Sequence, residues 1–270
     1  MKLATYTLDL GNSHPTVGEF QNDELKRVIP LIQFLQGPRN PDAISICSEV
    51  RAHLTPEIIT ALKLISPMEQ FTQGQFFNLP VLYSSTLGSD RLVQAHELFN
   101  EFYAGTTARH FQAIQLIDSG TFTTVDLITA RGFEGGHILP GLNLLARSFE
   151  HGAKLPALSL EQLLSFYRRK KELPQTTPHA MGLAVWKMME GFFRGWLREF
   201  HPDRIILTGG QAQNLQPLLQ EIIHQENAPT TIEVRSHLIH FSLLSLAKKI
   251  LAVDRPTQSP AREESLCPTF

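Results

Sequence analysis

Two cysteines in 270 residues, Cys47 and Cys267, are too few and too far apart for a disulfide framework or a zinc site. Their scarcity favours a reducing compartment. Excess charge of either sign is missing too: 24 Lys and Arg against 26 Asp and Glu leave a net charge of −2. Nothing electrostatic therefore points to nucleic acid or an anionic membrane as a partner. No apolar run approaches the ~20 residues of a membrane-spanning helix. The apolar start, Met1 to Leu8, is broken by Asp9 before a secretory apolar region can form. The histidines, among them His110, His137 and His151, show no paired spacing for a metal. Arg168-Arg169-Lys170-Lys171, the longest basic cluster, fits a solvated helix end. The expectation is a cytoplasmic protein with neither a nucleic-acid nor a membrane partner.

What is present is enough apolar material, 42% of the residues, for a substantial core in one large domain or two moderate ones. Within it, Ile117-Asp118-Ser119-Gly120-Thr121-Phe122-Thr123-Thr124-Val125-Asp126 reads as a strand ending on a carboxylate, a glycine turn and a returning strand. Glycine accepts the positive φ of a tight turn and leaves room for an anion to reach the backbone, and the amides and hydroxyls of Thr121, Thr123 and Thr124 suit a phosphate. The same pattern also serves hairpins that bind nothing. Near the start, Leu8-Asp9-Leu10-Gly11-Asn12-Ser13 repeats it, again after a strand-like run.

In chain order, strands are expected over residues 3–8 and 17–20, with the second beginning after Pro15 because proline removes a ladder donor. A helix is expected over 24–35, a strand over 43–47, and a helix opening at Thr55-Pro56-Glu57, where Thr caps and Pro takes the first position. Residues 67–78 read as a connection and 79–83 as a strand. Ser84 to Arg91 leads into a helix with Leu92, Ala95, Leu98 and Phe99 on one face, so Asp90 stands at a helix start, where a plain cap is the alternative to chemistry. Strands at 114–117, 123–128 and 135–138 follow, then a helix from Leu142, a long helix capped at Thr176 and running to Phe200, and a strand over 204–207. Thr208-Gly209-Gly210-Gln211 is a glycine-rich strand-to-helix turn, and a last helix covers 240–252. The Pro-, Ser- and Glu-rich residues 253–270 read as an unpacked, flexible tail. Two α/β units, residues 1–108 and 109–252, each opening on an Asp-x-Gly turn, suggest a nucleotide held in the cleft between them.

In order and spacing, Asp9-Leu-Gly-Asn-Ser, Gly88-Ser-Asp-Arg91, Asp118 to Asp126, Gly135-Gly-His-Ile-Leu-Pro-Gly-Leu142, Ala153-Lys-Leu-Pro156 and Thr208-Gly-Gly210 resemble the type III pantothenate kinases. These belong to the superfamily of acetate and sugar kinases, heat-shock chaperones and actin, so the resemblance implies two RNase H-like, actin-like ATPase domains around an interdomain nucleotide cleft. The activity it implies is ATP-dependent phosphorylation of pantothenate to 4′-phosphopantothenate, the first step of coenzyme A biosynthesis. A regulatory or accessory protein on the same scaffold, binding nucleotide without turnover, and a kinase of another small alcohol are the alternatives. Carried over by position, Asp9, Gly11, Asn12, Ser13 and Thr16 form the first ATP turn, and Thr121, Gly209 and Gly210 are further ATP contacts. Asp90 is the general base. Tyr83, Gly88, Ser89, Asp90, Arg91 and Thr177 belong to the pantothenate pocket, where the planar fork of Arg91 suits the substrate or a phosphate. Asp118 holds a monovalent cation, K⁺ or NH4⁺, and Mg²⁺ accompanies ATP, with Asp9 as a water-mediated anchor. A homodimer with the pocket near its interface is implied. The chain departs from the family at Ser13 for Thr, Phe122 for Ala, and Leu183-Ala184 for Ser-Gly, and in a shorter link from Tyr83 to Gly88.

Overall fold

The computed structural model describes residues 4–11, 14–48, 54–72, 74–104, 113–152 and 154–253. The chain opens with β1 (Ala4–Asp9), β2 (Thr16–Gln21) and β3 (Glu24–Pro30), then α1 (Leu31–Gln36), β4 (Ile44–Cys47), α2 (Pro56–Leu62) and β5 (Leu64–Ile65). These five strands form one sheet in the order β3-β2-β1-β4-β5, antiparallel across β1, β2 and β3 and parallel across β1, β4 and β5. After a 3-10 turn, the short strands β6 (Phe71–Thr72), β7 (Gln75–Phe76) and β8 (Leu79–Pro80) make a small antiparallel sheet, and α3 (Ser89–Phe99) ends in a π-helical turn.

The second half repeats the plan. β9 (Ile114–Ser119), β10 (Phe122–Thr129) and β11 (Gly132–Pro140) are antiparallel, followed by α4 (Leu142–Arg147), α5 (Leu160–Tyr167), α6 (Thr177–Phe200), β12 (Arg204–Thr208), α7 (Ala212–Glu226), β13 (Thr231–Val234) and α8 (Leu238–Val253). Their sheet order, β11-β10-β9-β12-β13, mirrors the first, with β9, β12 and β13 parallel. The two-sheet α/β architecture expected from the paired Asp turns is the one observed.

Two local expectations are corrected. Residues 24–30 are a strand where a helix running on to 35 was expected. Asn22 and Asp23 both take positive φ (52° and 68°), the geometry of a tight hairpin turn that sends the chain back antiparallel to β2. Pro30 then bars any helix from crossing it, and only six residues of α1 follow. Residues 67–78, expected to be a plain connection, carry the 3-10 turn and most of the small sheet. Elsewhere the local rules hold: Thr55 accepts from the Ile58 amide and Thr176 from the His179 amide, each capping a helix with proline in its first turn. Of the expected tail 253–270, Val253 instead closes α8, and the rest, like the half boundary near 108, lies outside the described residues.

The apolar residues sort into three layers. One face of the first sheet packs Leu8 and Val17 against Phe34 of α1 and Leu62 of α2. The far face of the second sheet packs Ile117 and Val125 against α4 to α7. Between the sheets, α3 and α8 bring Leu92, Leu98, Leu243 and Leu246 against Ile46 of the first sheet and Leu116 and Ile128 of the second. This middle layer positions the candidate site.

Candidate active site

In the β9–β10 hairpin, Asp118 lies directly opposite Thr124, and Asp126 follows two residues on, so all three share one face of the strand pair. It is the face covered by α3, because Leu116 and Ile128 on it pack against Leu92 and Leu98. From α3, Arg91 reaches Asp126: Nε donates to both carboxylate oxygens at 3.1 Å, and Nη2 donates to Oδ1. Arg91 is 4% exposed and Asp126 0%. The rings of Tyr83 and Phe133 stand 5.3 and 5.5 Å from the guanidinium carbon. The expected substrate fork of Arg91 is thus turned largely onto Asp126. Burial, with Asp90 and Asp118 nearby, pushes the Asp126 carboxyl up to about 6 against the pull of Arg91.

One turn further along α3, Gln94 donates through Nε2 to Asp118 Oδ2 at 2.8 Å. Burial pushes the Asp118 carboxyl up to about 6; the Gln94 bond lowers it and the Asp90 charge raises it further. Asp90, partly exposed, is the second residue of α3, whose cap position is taken by Gly88, so the plain capping alternative for Asp90 is not what the structure adopts. Ser89, the first residue of α3, is buried. A side chain on Gly88 would overlap the Asp90 carboxylate, which folds back over that glycine.

The glycine-rich turn after β12 meets the same place. Gly209 has φ +88°, and a Cβ there would overlap Asp118 Oδ1 and sit 2.5 Å from the Ser119 carbonyl. The Ser119 carbonyl also accepts from the Gln211 amide at 2.8 Å, tying the turn to the end of β9. Gly210 has nothing within 4 Å of a built Cβ and Gly120 only the Phe122 carbonyl at 3.8 Å, so both leave open space beside the turns. Thr121 accepts through its carbonyl from the Gly141 amide at 2.9 Å. Phe122 does not turn into the core: it is 44% exposed, on the Asp118 face, with 59%-exposed Ile138 on the neighbouring strand of that face.

At the first turn, the Gly11 amide donates to Asp9 Oδ1 at 3.2 Å, a local carboxylate turn of the kind Asp favours. Asp9 pairs with Thr16 across β1 and β2. The Thr16 hydroxyl lies 3.1 Å from Nε2 of His240 in α8, whose Nδ1 lies 2.9 Å from the Thr7 hydroxyl. Burial, with His237 close by, pushes His240 down to about 4 and keeps it neutral. Asn12 and Ser13 lie outside the described residues. Thr177 is exposed and opens α6, the helix that packs on the opposite face of the second sheet from Asp118 and Asp126.

A family model described as type III pantothenate kinase matches residues 6–199. The chain belongs to that family. A type III pantothenate kinase from Myxococcus xanthus is 25% identical over 255 residues, covering 84% of this chain and 94% of the relative. Among solved structures, a protein from Campylobacter jejuni assigned to the Baf family of transcriptional activators superposes with a TM-score of 0.59 at 18% identity, covering 92% of this chain and 99% of that one. Acetate kinase from Porphyromonas gingivalis does so with a TM-score of 0.51 at 9% identity, covering 92% and 100%. These likenesses establish the actin-like kinase fold. For a member of the type III pantothenate kinase family, three residues here carry weight that sequence reading left unassigned: Gln94, Asp126 and His240. Gln94 stands four residues after Asp90, a helical spacing that places both on one face, and Asp126 stands two residues after Thr124, the cross-strand neighbour of Asp118. His240 gives no local signal.

The Asp118 carboxyl has a consequence for stability. Raised from 3.8 to about 6, it takes up a proton on folding between those values, so its stabilising contribution is complete at low pH and is lost as pH rises through 6. In ligand-free protein at pH 7, Asp118→Asn is therefore expected to be more stable than the native chain by about 1–3 kcal/mol, a gain that vanishes near pH 4. Urea unfolding at the two pH values checks this, and a variant less stable at pH 7 refutes it.

Proposed function

We propose that this chain phosphorylates pantothenate with ATP to give 4′-phosphopantothenate, the entry step to coenzyme A. The observation that carries the reading is the placing of Asp90 at the start of α3, near enough to Asp118 and Asp126 to raise both carboxyls, with the Gly209 turn packed on Asp118. Transfer to a primary alcohol requires its oxygen in line with the terminal phosphorus and a carboxylate to take its proton. Asp90 is that carboxylate. The buried Arg91–Asp126 pair pins α3 to β10 and so fixes where Asp90 stands relative to the Asp118 turn. Tyr83, packed between Arg91 and Gly135, forms the wall of the acceptor pocket with Gly88 and Ser89.

The residues fit the cations this chemistry uses. Beside Asp118, the buried atoms Gln94 Oε1 and Thr124 Oγ1 have no hydrogen-bond partner among the described residues, and a monovalent cation or its water would supply one. Among the described residues no group of three His, Cys, Asp or Glu converges on a metal, which suits Mg²⁺ held by phosphate and water with Asp9 as an outer anchor. Mg²⁺ held there would supply charge to offset that of the phosphates. The open backbone at Gly120 and at Gly210 suits the close approach of phosphates, with Thr121 and Gly209 next to them in the two turns. Because Thr177 starts a helix on the far face of the second sheet, its share in the pocket belongs to a homodimer, in which a second copy presents it.

The test is phosphorylation of pantothenate by purified protein with Mg²⁺-ATP, with and without potassium. Turnover that rises with potassium is expected. Transfer only to a different primary alcohol reassigns the acceptor, and ATP binding without any transfer overturns the kinase reading. Among the described residues no helix is long and apolar enough to cross a membrane.

A further inference from the structure

We propose that His240 is a positioning residue for the first phosphate turn: it holds the Thr16 proton away from the cleft, so that Thr16 offers a lone pair there to the water shell of the nucleotide's cation and no proton to a phosphate. The inference rests on the kinase reading above. It follows from hydrogen-bond direction in a group of four residues, three of them buried and Thr16 partly exposed. The Gly18 carbonyl, 3.3 Å from the Thr7 hydroxyl, can only accept; with the Thr7 proton given to it, the hydroxyl accepts from His240 Nδ1 at 2.9 Å. A neutral imidazole with its proton on Nδ1 has a bare Nε2, and that nitrogen lies 3.1 Å from the Thr16 hydroxyl. The Thr16 proton is thus committed to His240. What remains of the Thr16 oxygen is acceptor only.

The arrangement is built for closeness. A Cβ on Gly18 would come within 2.6 Å of Thr7 Oγ1 and 2.9 Å of His240 Nδ1, so only glycine at this point of β2 lets the imidazole lie across the two strands. Thr7 is 0% and His240 1% exposed, and each ring nitrogen has a hydroxyl partner, so the proton placement within the group is settled among these side chains and not by water. Register places Thr7, Asp9, Thr16 and Gly18 on one face, with Asp9 directly opposite Thr16 at the open end of the strand pair. An acceptor-only hydroxyl beside a carboxylate is a poor neighbour for a phosphate oxygen and a good one for metal-bound water, which donates protons.

The test is calorimetric binding of ADP with Mg²⁺ and with EDTA to the native protein, Thr16→Val, Thr16→Ser, His240→Leu and the Thr16→Val/His240→Leu double variant. Thr16→Val and His240→Leu are each expected to weaken Mg²⁺-ADP about tenfold and to leave ADP in EDTA within about twofold, with Thr16→Ser near native. The double variant should be no weaker than Thr16→Val, because both changes act through one hydroxyl. Equal weakening with and without Mg²⁺, no effect of Thr16→Val, or additive losses would each overturn the proposal. Should His240→Leu fail to fold, His240→Gln, which keeps one donor and one acceptor, takes its place, and near-native Mg²⁺-ADP binding by it is the supporting result. If the native protein binds no ADP at all, the kinase reading falls with the proposal; binding by the native chain with unselective variants removes the proposal alone.

Discussion

Asp90→Asn is expected to lower kcat for phosphoryl transfer by about 10²–10⁴-fold while ATP affinity stays within about twofold. The asymmetry comes from position. Asp90 stands in the first turn of α3, close enough to Asp118 to raise its carboxyl, whereas the nucleotide contacts proposed above lie on the Asp9, Thr121 and Gly209 turns. Asparagine keeps the shape and can still bond the acceptor hydroxyl, but it cannot take the proton, so the loss falls on the chemical step. Steady-state kinetics paired with ADP calorimetry separate the two effects. Full turnover in the variant would remove Asp90 from the mechanism, and a parallel fall in nucleotide affinity would mean the turns have moved.

The second large effect concerns the anchor beneath it. Asp126→Ala is expected to cost about 3–5 kcal/mol of stability, because it strands a guanidinium that is 4% exposed and cannot shed its proton. The reciprocal change should cost less: in Arg91→Met the remaining Asp126 carboxyl, already pushed up to about 6, neutralises itself by protonation. Replacing both by apolar residues of similar volume should recover most of the loss. Urea denaturation of the three variants checks the order. Equal losses for the two single changes would show that packing, and not an unpaired buried charge, sets the cost.

Much of this arrangement is legible in the sequence where it depends on short-range rules. The Asp-x-Gly turns at Asp9 and Asp118, the glycine turn at Gly209 and the caps at Thr55 and Thr176 are local chemistry, and the duplicated sheet order follows from their repetition. The strand at 24–30 was hidden because Glu24 to Ile29 mixes apolar and charged residues at spacings that suit either period, and the deciding signal was the Asn22-Asp23 turn before it. Arg91 illustrates a deeper limit. Its guanidinium fork was readable, but its partner depended on which face of β10 meets α3, a matter of tertiary packing. The Gln94 bond to Asp118 and the His240 bond to Thr16 span 24 and 224 residues of chain, beyond the reach of any local pattern.

The helix α8 gives the chain an order of assembly. It is the last described element made, yet it packs on β1, β4 and α3, elements from the first half. During synthesis the inner face of the first sheet, with Ile46 and Thr7, stays uncovered until residues 238–253 have left the ribosome. The N-terminal half therefore cannot finish folding ahead of the C-terminal half, as independent domains made in sequence usually do. A nascent chain stalled before α8 accordingly keeps the inner face of its first sheet open, and the turn at Asp9 acquires its support only when α8 reaches β1.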